Sequence, residues 1–133
     1  MLEILAPSGN EECAEVAIAC GANAIYLGYT AFSARDGAAN FDEEGLRRII
    51  QKAHFSAVKV YVAMNTVVKT KELDIFLSTL LSVWSLGVDA VILQDMLLGK
   101  YVHSLYPEIV LHLSTQAGVC TFYGAQLAKE YGF

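Results

Sequence analysis

The chain has 133 residues, 55% hydrophobic and 17% charged, and burial of so large an apolar fraction offsets chain entropy, which excludes intrinsic disorder. Nine Lys and Arg stand against fourteen Asp and Glu, a formal net charge of −5; with no basic run, charge does not steer the surface toward nucleic acid. The longest charge-free apolar stretch, Ile75 to Val88, is shorter than the roughly 20 residues of a bilayer span.

Strand and helix patterns alternate from the amino end. Met1-Leu-Glu-Ile-Leu-Ala-Pro lacks the basic and apolar regions of a signal peptide, so a cytoplasmic chain is expected, with no membrane partner. Leu2 to Leu5 reads as a short strand closed by Ala6-Pro7-Ser8-Gly9. Asn10 can cap the next helix, where Glu11, Glu12 and Glu15 suit the positive end of the dipole. Val16, Ala17 and Cys20 are its expected inward stripe, and Gly21 ends it. Ala24 to Leu27 is a second strand, followed at Gly28 by a polar loop from Tyr29 to Phe41. Asp42 caps a helix whose apolar set is Leu46, Ile49, Ile50 and Ala53. A third strand, Val58 to Ala63, is β-branched and alternating. In the third helix Leu73, Phe76, Leu77, Leu80, Leu81 and Trp84 recur at spacings of three and four, and Gly87 stops it. Ala90 to Leu93 is the fourth strand, and Asp95 caps a helix that Pro107 terminates. Ile109 to Ser114 and Phe122 to Tyr131 complete the series.

The three cysteines, Cys13, Cys20 and Cys120, form no C-x-x-C pair. Cys13 and Cys20 lie about two helical turns apart, roughly 10 Å, beyond disulfide reach. Reduced thiols packed as small hydrophobes are expected, with neither a metal site nor a cysteine nucleophile.

Five βα units without a linker indicate a parallel sheet covered by helices. An internal echo, Gly21-Ala-Asn-Ala-Ile-Tyr-Leu against Gly87-Val-Asp-Ala-Val-Ile-Leu, marks two helix stops that each feed a buried strand. Neither G-x-G-x-x-G nor G-x-x-x-x-G-K-S/T is present to favour a nucleotide-binding sheet. Alternation separates the two remaining architectures. Val58, Val60 and Val62 oppose Lys59, Tyr61, Ala63 and Asn65, and Leu111 and Leu113 oppose Val110, His112 and Ser114. One aliphatic and one mixed polar face per strand fits a (β/α) barrel of the TIM type, whereas both faces of a doubly wound sheet are apolar.

The ordered set Leu5-Ala-Pro-Ser-Gly-Asn10, Gly21 to Gly28, Phe32-Ser-Ala-Arg35, Asn40-Phe41, Lys59 to Thr66, Gly87-Val-Asp-Ala90, Gln94-Asp95 and His112-Leu-Ser-Thr-Gln-Ala117 resembles the amino-terminal part of the collagenase-like peptidase family, family U thirty-two of the unassigned peptidases. The resemblance spans nearly the whole chain. It implies an α/β, parallel TIM-type barrel, present here as one partial domain of about five units over residues 1–133, truncated before the sixth strand. It also implies an enzyme fragment, with peptide hydrolysis as the first expectation. The alternative is hydroxylation, in which prephenate is implicated, of RNA bases or of a ubiquinone precursor; a non-catalytic binding platform is the third. Some family members hold an iron–sulfur cluster on cysteines beyond the fifth unit. Cys13, Cys20 and Cys120 do not correspond to those cysteines, so no cofactor is expected in this stretch. Gly118 and Thr121 depart from the Asn that relatives often carry, and Ser56-Ala57 departs from the usual Arg-Gly stop.

Barrel chemistry sits at the carboxyl ends of strands. By position the candidates are Asn10, Arg35, Asn40, Asn65, Thr66, Gln94, Asp95, Ser114, Thr115 and Gln116. Asn10 and Asp95 read better as helix caps. With the family match, Arg35, Asn40, Asn65, Ser114 and Gln116 are expected to bind a small-molecule or peptide ligand, Arg35 as a fork donor. His112 is the one candidate base, although a lone strand histidine is more often a core residue. His112 and Ser114 share a strand face without the framing of a nucleophile elbow, so no triad is expected. Glu3 and Lys59 should meet inside the lumen, because either one buried alone is strongly unfavourable. Open sheet edges should drive homo-oligomerisation.

Overall fold

The computed structural model describes residues 2–34 and 40–133. Its elements alternate: β1 (Leu5–Pro7), α1 (Glu11–Ala19), β2 (Ala24–Gly28), α2 (Glu43–Phe55), β3 (Lys59–Ala63), α3 (Leu73–Ser85), β4 (Ala90–Leu93), α4 (Met96–Leu105), β5 (Leu111–Leu113) and α5 (Phe122–Glu130). One-turn 3-10 helices occupy Thr70–Glu72 and Thr115–Ala117. The expected caps form: Asn10 accepts from the Cys13 amide at 2.8 Å, Asp42 from Gly45 at 2.8 Å, and Asp95 from Leu97 and Leu98 at 2.9 and 3.0 Å. The two echoed helix stops share a backbone state, Gly21 at φ +87° and Gly87 at φ +96°. A side chain is strained in that left-handed region, which explains glycine at both turns.

All five strands are parallel and lie in the order β1-β2-β3-β4-β5. A doubly wound sheet reverses its strand order partway; this sheet does not, and it is open at β1 and β5. The register sets Tyr26 beside Tyr61, Tyr61 beside Ala90, Ala63 beside Ile92, and Ile92 beside His112. On the helix side Ile25, Leu27, Val60, Val62, Val91 and Leu93 pack with Leu46, Ile49, Phe76 and Leu80 into the main core. A smaller cluster of Ala24, Tyr61 and Ala90, flanked by Tyr26 and Ile92, covers the other face. The alternation read from the strands therefore holds.

Three local expectations are corrected. β1 begins at Leu5 rather than Leu2, because Ile4 is tied through a side chain: its amide donates to Asn23 Oδ1 at 2.8 Å, and Leu2 is 94% exposed. Pro7, which has no amide to donate, is tolerated because β1 is an edge. On α1 the inward residues are Ala14, Ala17 and Ile18, whereas Val16 is 57% exposed and Cys20 is also exposed. All three cysteines are free and exposed rather than packed. No helix of the described residues is long and apolar enough to cross a membrane.

Candidate functional site

At the carboxyl ends of the strands, the face turned away from the helices holds a cavity of about 460 Å³. Tyr26, Ala63, Asn65, His112, Ser114 and Gln116 are among its lining residues. Asn65 follows β3 by two residues and uses both ends of its amide. Its Oδ1 accepts from the Ala34 amide at 3.2 Å, and its Nδ2 donates to Ser114 Oγ at 3.3 Å. Ser114 is 8% exposed and caps the turn after β5, accepting from the Gln116 amide at 3.2 Å. The loop after β2 is also held by Thr66, whose amide donates to the Phe32 carbonyl at 3.2 Å. Phe32 sits at φ +60°, a left-handed state costing roughly 1–2 kcal/mol for a residue with a Cβ. Its ring stands edge-on to the buried Phe76 ring with centroids 5.2 Å apart, a packing contact that holds the loop in this state.

At the end of β2, a Cβ on Gly28 would collide with Asn40 Oδ1 and Ser33 Oγ. Both atoms are buried without a hydrogen-bond partner among the described residues. Asn40 and Ser33 thus place two unsatisfied polar atoms over Gly28, whose register partner Ala63 lines the cavity. Arg35, expected as the fork donor, lies outside the described residues.

Further along the same face, Lys59 Nζ lies 3.1 Å from Glu3 Oε2, and the Tyr61 hydroxyl donates to Glu3 Oε1 at 2.8 Å. The setting differs from the enclosed lumen that was expected, since the Lys59 and Glu3 side chains are 56% and 41% exposed where the sheet is open. The Tyr61 hydroxyl, then Lys59, hold the Glu3 carboxyl below its ordinary range. Glu3 in turn raises Lys59, while burial, then Glu3, raises Tyr61. His112 lies edge-on to the Tyr61 ring at 4.7 Å. Burial pushes its imidazole below the usual value, which leaves it neutral near pH 7. The structure records no hydrogen bond between His112 and Ser114.

Tyr26, Tyr61 and Ser33 are contributors that sequence reasoning did not assign to the site. Tyr61 was detectable, since it follows Lys59 by two residues on one strand and must share its face. Among the described residues no group of three His, Cys, Asp or Glu side chains could hold a metal ion. The exposed cysteines, one on α1, one just after it and one after β5, do not fit an iron–sulfur cluster. A wider groove of about 590 Å³ lies between the carboxyl ends of α1 and α2, lined by Ile18, Lys52 and Phe55 among others. Lys52 there is already paired with Glu15, and the groove is remote from the strand ends where barrel chemistry resides.

Residues 9–133 match the model of Peptidase family U32. The chain belongs to that family. It is 33% identical over 132 residues to the 23S rRNA 5-hydroxycytidine C2501 synthase of Escherichia coli, covering 99% of this chain and 20% of that protein. It is 32% identical to the tRNA hydroxylation protein P of the same organism, over 98% of this chain and 29% of that one. A collagenase of Porphyromonas gingivalis is 30% identical, over 88% of this chain and 28% of its own length. The U32 chain thus spans between a fifth and a third of these relatives. A solved U32 peptidase structure superposes with a TM-score of 0.80 at 18% identity, covering 99% of this chain and 56% of the other, a likeness of fold alone.

Proposed function

We propose that this U32 chain supplies the ligand-binding strand ends of an RNA-hydroxylating enzyme, and that the cavity beside Tyr26 takes a pyrimidine base. One observation carries the reading: Ser114 Oγ already accepts from Asn65 Nδ2 and the Gln116 amide, and it has no bond to His112. A peptidase nucleophile needs a base within hydrogen-bond reach. The serine that could play that part serves instead as a turn cap. What faces the cavity is neutral and hydrogen-bonding, namely His112, Gln116 and Thr115 beside an aromatic ring. That combination suits the edge and face of an unstacked base. The relatives named for rRNA and tRNA hydroxylation favour the same reading. Such work is cytoplasmic. The net charge of −5 leaves phosphate binding to parts of the enzyme outside these residues.

Peptide hydrolysis is the other outcome of the test, and the collagenase relative supplies its motive. The host gene is disrupted and RNA nucleosides are analysed by mass spectrometry, while the intact protein is assayed on gelatin. Loss of a hydroxylated pyrimidine with gelatin left uncut supports the proposal. An unchanged nucleoside profile together with gelatin cleavage overturns it.

A further inference from the structure

Asn65 was expected to touch ligand; both ends of its amide already hold a bond within the protein. The acceptor is engaged by the Ala34 amide at 3.2 Å, 31 residues back in the chain, and the donor by Ser114 Oγ at 3.3 Å, 49 residues forward. These two partners belong to the loop after β2 and to the turn after β5. β2 is β3's direct neighbour, whereas β5 lies two strands away with β4 between. A single amide therefore reaches across the strand ends and bridges the loop after β2 and the turn after β5.

We propose that Asn65 is a positioning residue that couples the loop after β2 to the Ser114 turn, which itself lines the cavity. On one side it fixes Ala34, and with it the neighbouring Ser33 over Gly28 and Asn40. On the other it fixes Ser114, which holds the Gln116 amide and leaves the Gln116 side chain at the cavity wall. The backbone bond from Thr66 to Phe32 runs alongside and gives the first loop a second anchor. The Ser114 turn is joined to this region of β3 by the Asn65 amide. Opposed pulls of this kind act as a link: loss of either end frees the other. The importance of this link for a ligand rests on the function proposed above, but its physical test needs no ligand.

The test is amide hydrogen exchange on the intact chain. In Ser114→Ala, the Asn65 Nδ2 loses its acceptor, and Ala34 should exchange on the order of tenfold faster although Ser114 is not its bonding partner. Asn65→Leu should speed both Ala34 and Gln116, while amides within β3 such as Val62 keep their protection. Asn65→Asp retains an acceptor for Ala34 and offers a carboxylate to the Ser114 hydroxyl, so it should restore slow exchange at both loops. Ala34 exchange unchanged in Ser114→Ala, or a uniform rise across β3 with the loops not singled out, overturns the assignment. If the RNA profile proves independent of the protein while the exchange pattern appears, the functional reading fails and the link stands. The reverse result removes the link and leaves the function.

Discussion

His112 and Glu3 report on the strand-end face through their protons. Burial lowers the His112 pKa, so the unfolded chain takes up its proton first as pH falls. The stability this group contributes is full above about pH 6.5 and is lost as pH drops from there through the folded value. His112→Phe should remove that loss: between about pH 7.5 and pH 5 its melting temperature should fall less than that of the parent. Parallel declines in the two proteins would contradict the burial. His112 has no hydrogen bond among the described residues and is half-buried, so His112→Ala should forfeit little beyond the ring contact with Tyr61, about 0.5–1.5 kcal/mol. Glu3 has the opposite sign, because the Tyr61 hydroxyl and Lys59 favour its charged form. Its contribution is present above the ordinary carboxylate range and is lost as pH falls through the lowered folded value. Tyr61→Phe should return the Glu3 titration toward its ordinary value in carboxyl-resolved NMR; an unmoved titration would show that the hydroxyl is not the cause.

At the level of elements, α3 adds a packing contact that helps to hold the loop after β2, through Phe76 against Phe32. Phe76 is fully buried, and Phe76→Ala should destabilise the chain by about 3–5 kcal/mol while freeing that loop. Asp42→Ala, which removes only the α2 cap, should cost about 1 kcal/mol and leave the loop's amide exchange unchanged. Chemical denaturation with exchange at Ala34 separates the two variants. These elements were legible in the sequence because their periods differ: α3 repeats every three to four residues and β3 every two. The inward face of α1 was not legible. Its stretch from Cys13 to Cys20 is apolar nearly all round apart from Glu15, so hydrophobicity cannot mark a side, and close packing selected the small Ala14. The start of β1 was missed for a related reason, since the Asn23 side chain takes a place that a backbone ladder would otherwise hold. The site was legible as far as strand ends could mark it, which included His112, Ser114, Gln116 and Asn65. The role of Asn65 was not, because its partners lie 31 and 49 residues away and only the fold joins them.

For the whole molecule, the parallel sheet leaves β1 and β5 as edges, with Leu2, Ile4 and Val110 respectively 94%, 62% and 48% exposed beside them. Unpaired strand backbone next to exposed apolar side chains invites pairing. The 133-residue chain should therefore sediment above its 14.5 kDa mass at micromolar concentration, and a single 14.5 kDa species would contradict this. The same face that lies open at the edges carries the cavity at the strand ends, and the account stands or falls on whether that cavity serves RNA hydroxylation. The direct measurement is nucleoside mass spectrometry of a gene-disrupted strain complemented by variants of the intact protein at matched levels. His112→Ala and Gln116→Ala alter the cavity wall, whereas Arg47→Ala alters only an exposed ion pair within α2. The account predicts that Arg47→Ala restores the hydroxylated pyrimidine and that the two cavity variants do not; full restoration by all three would contradict it.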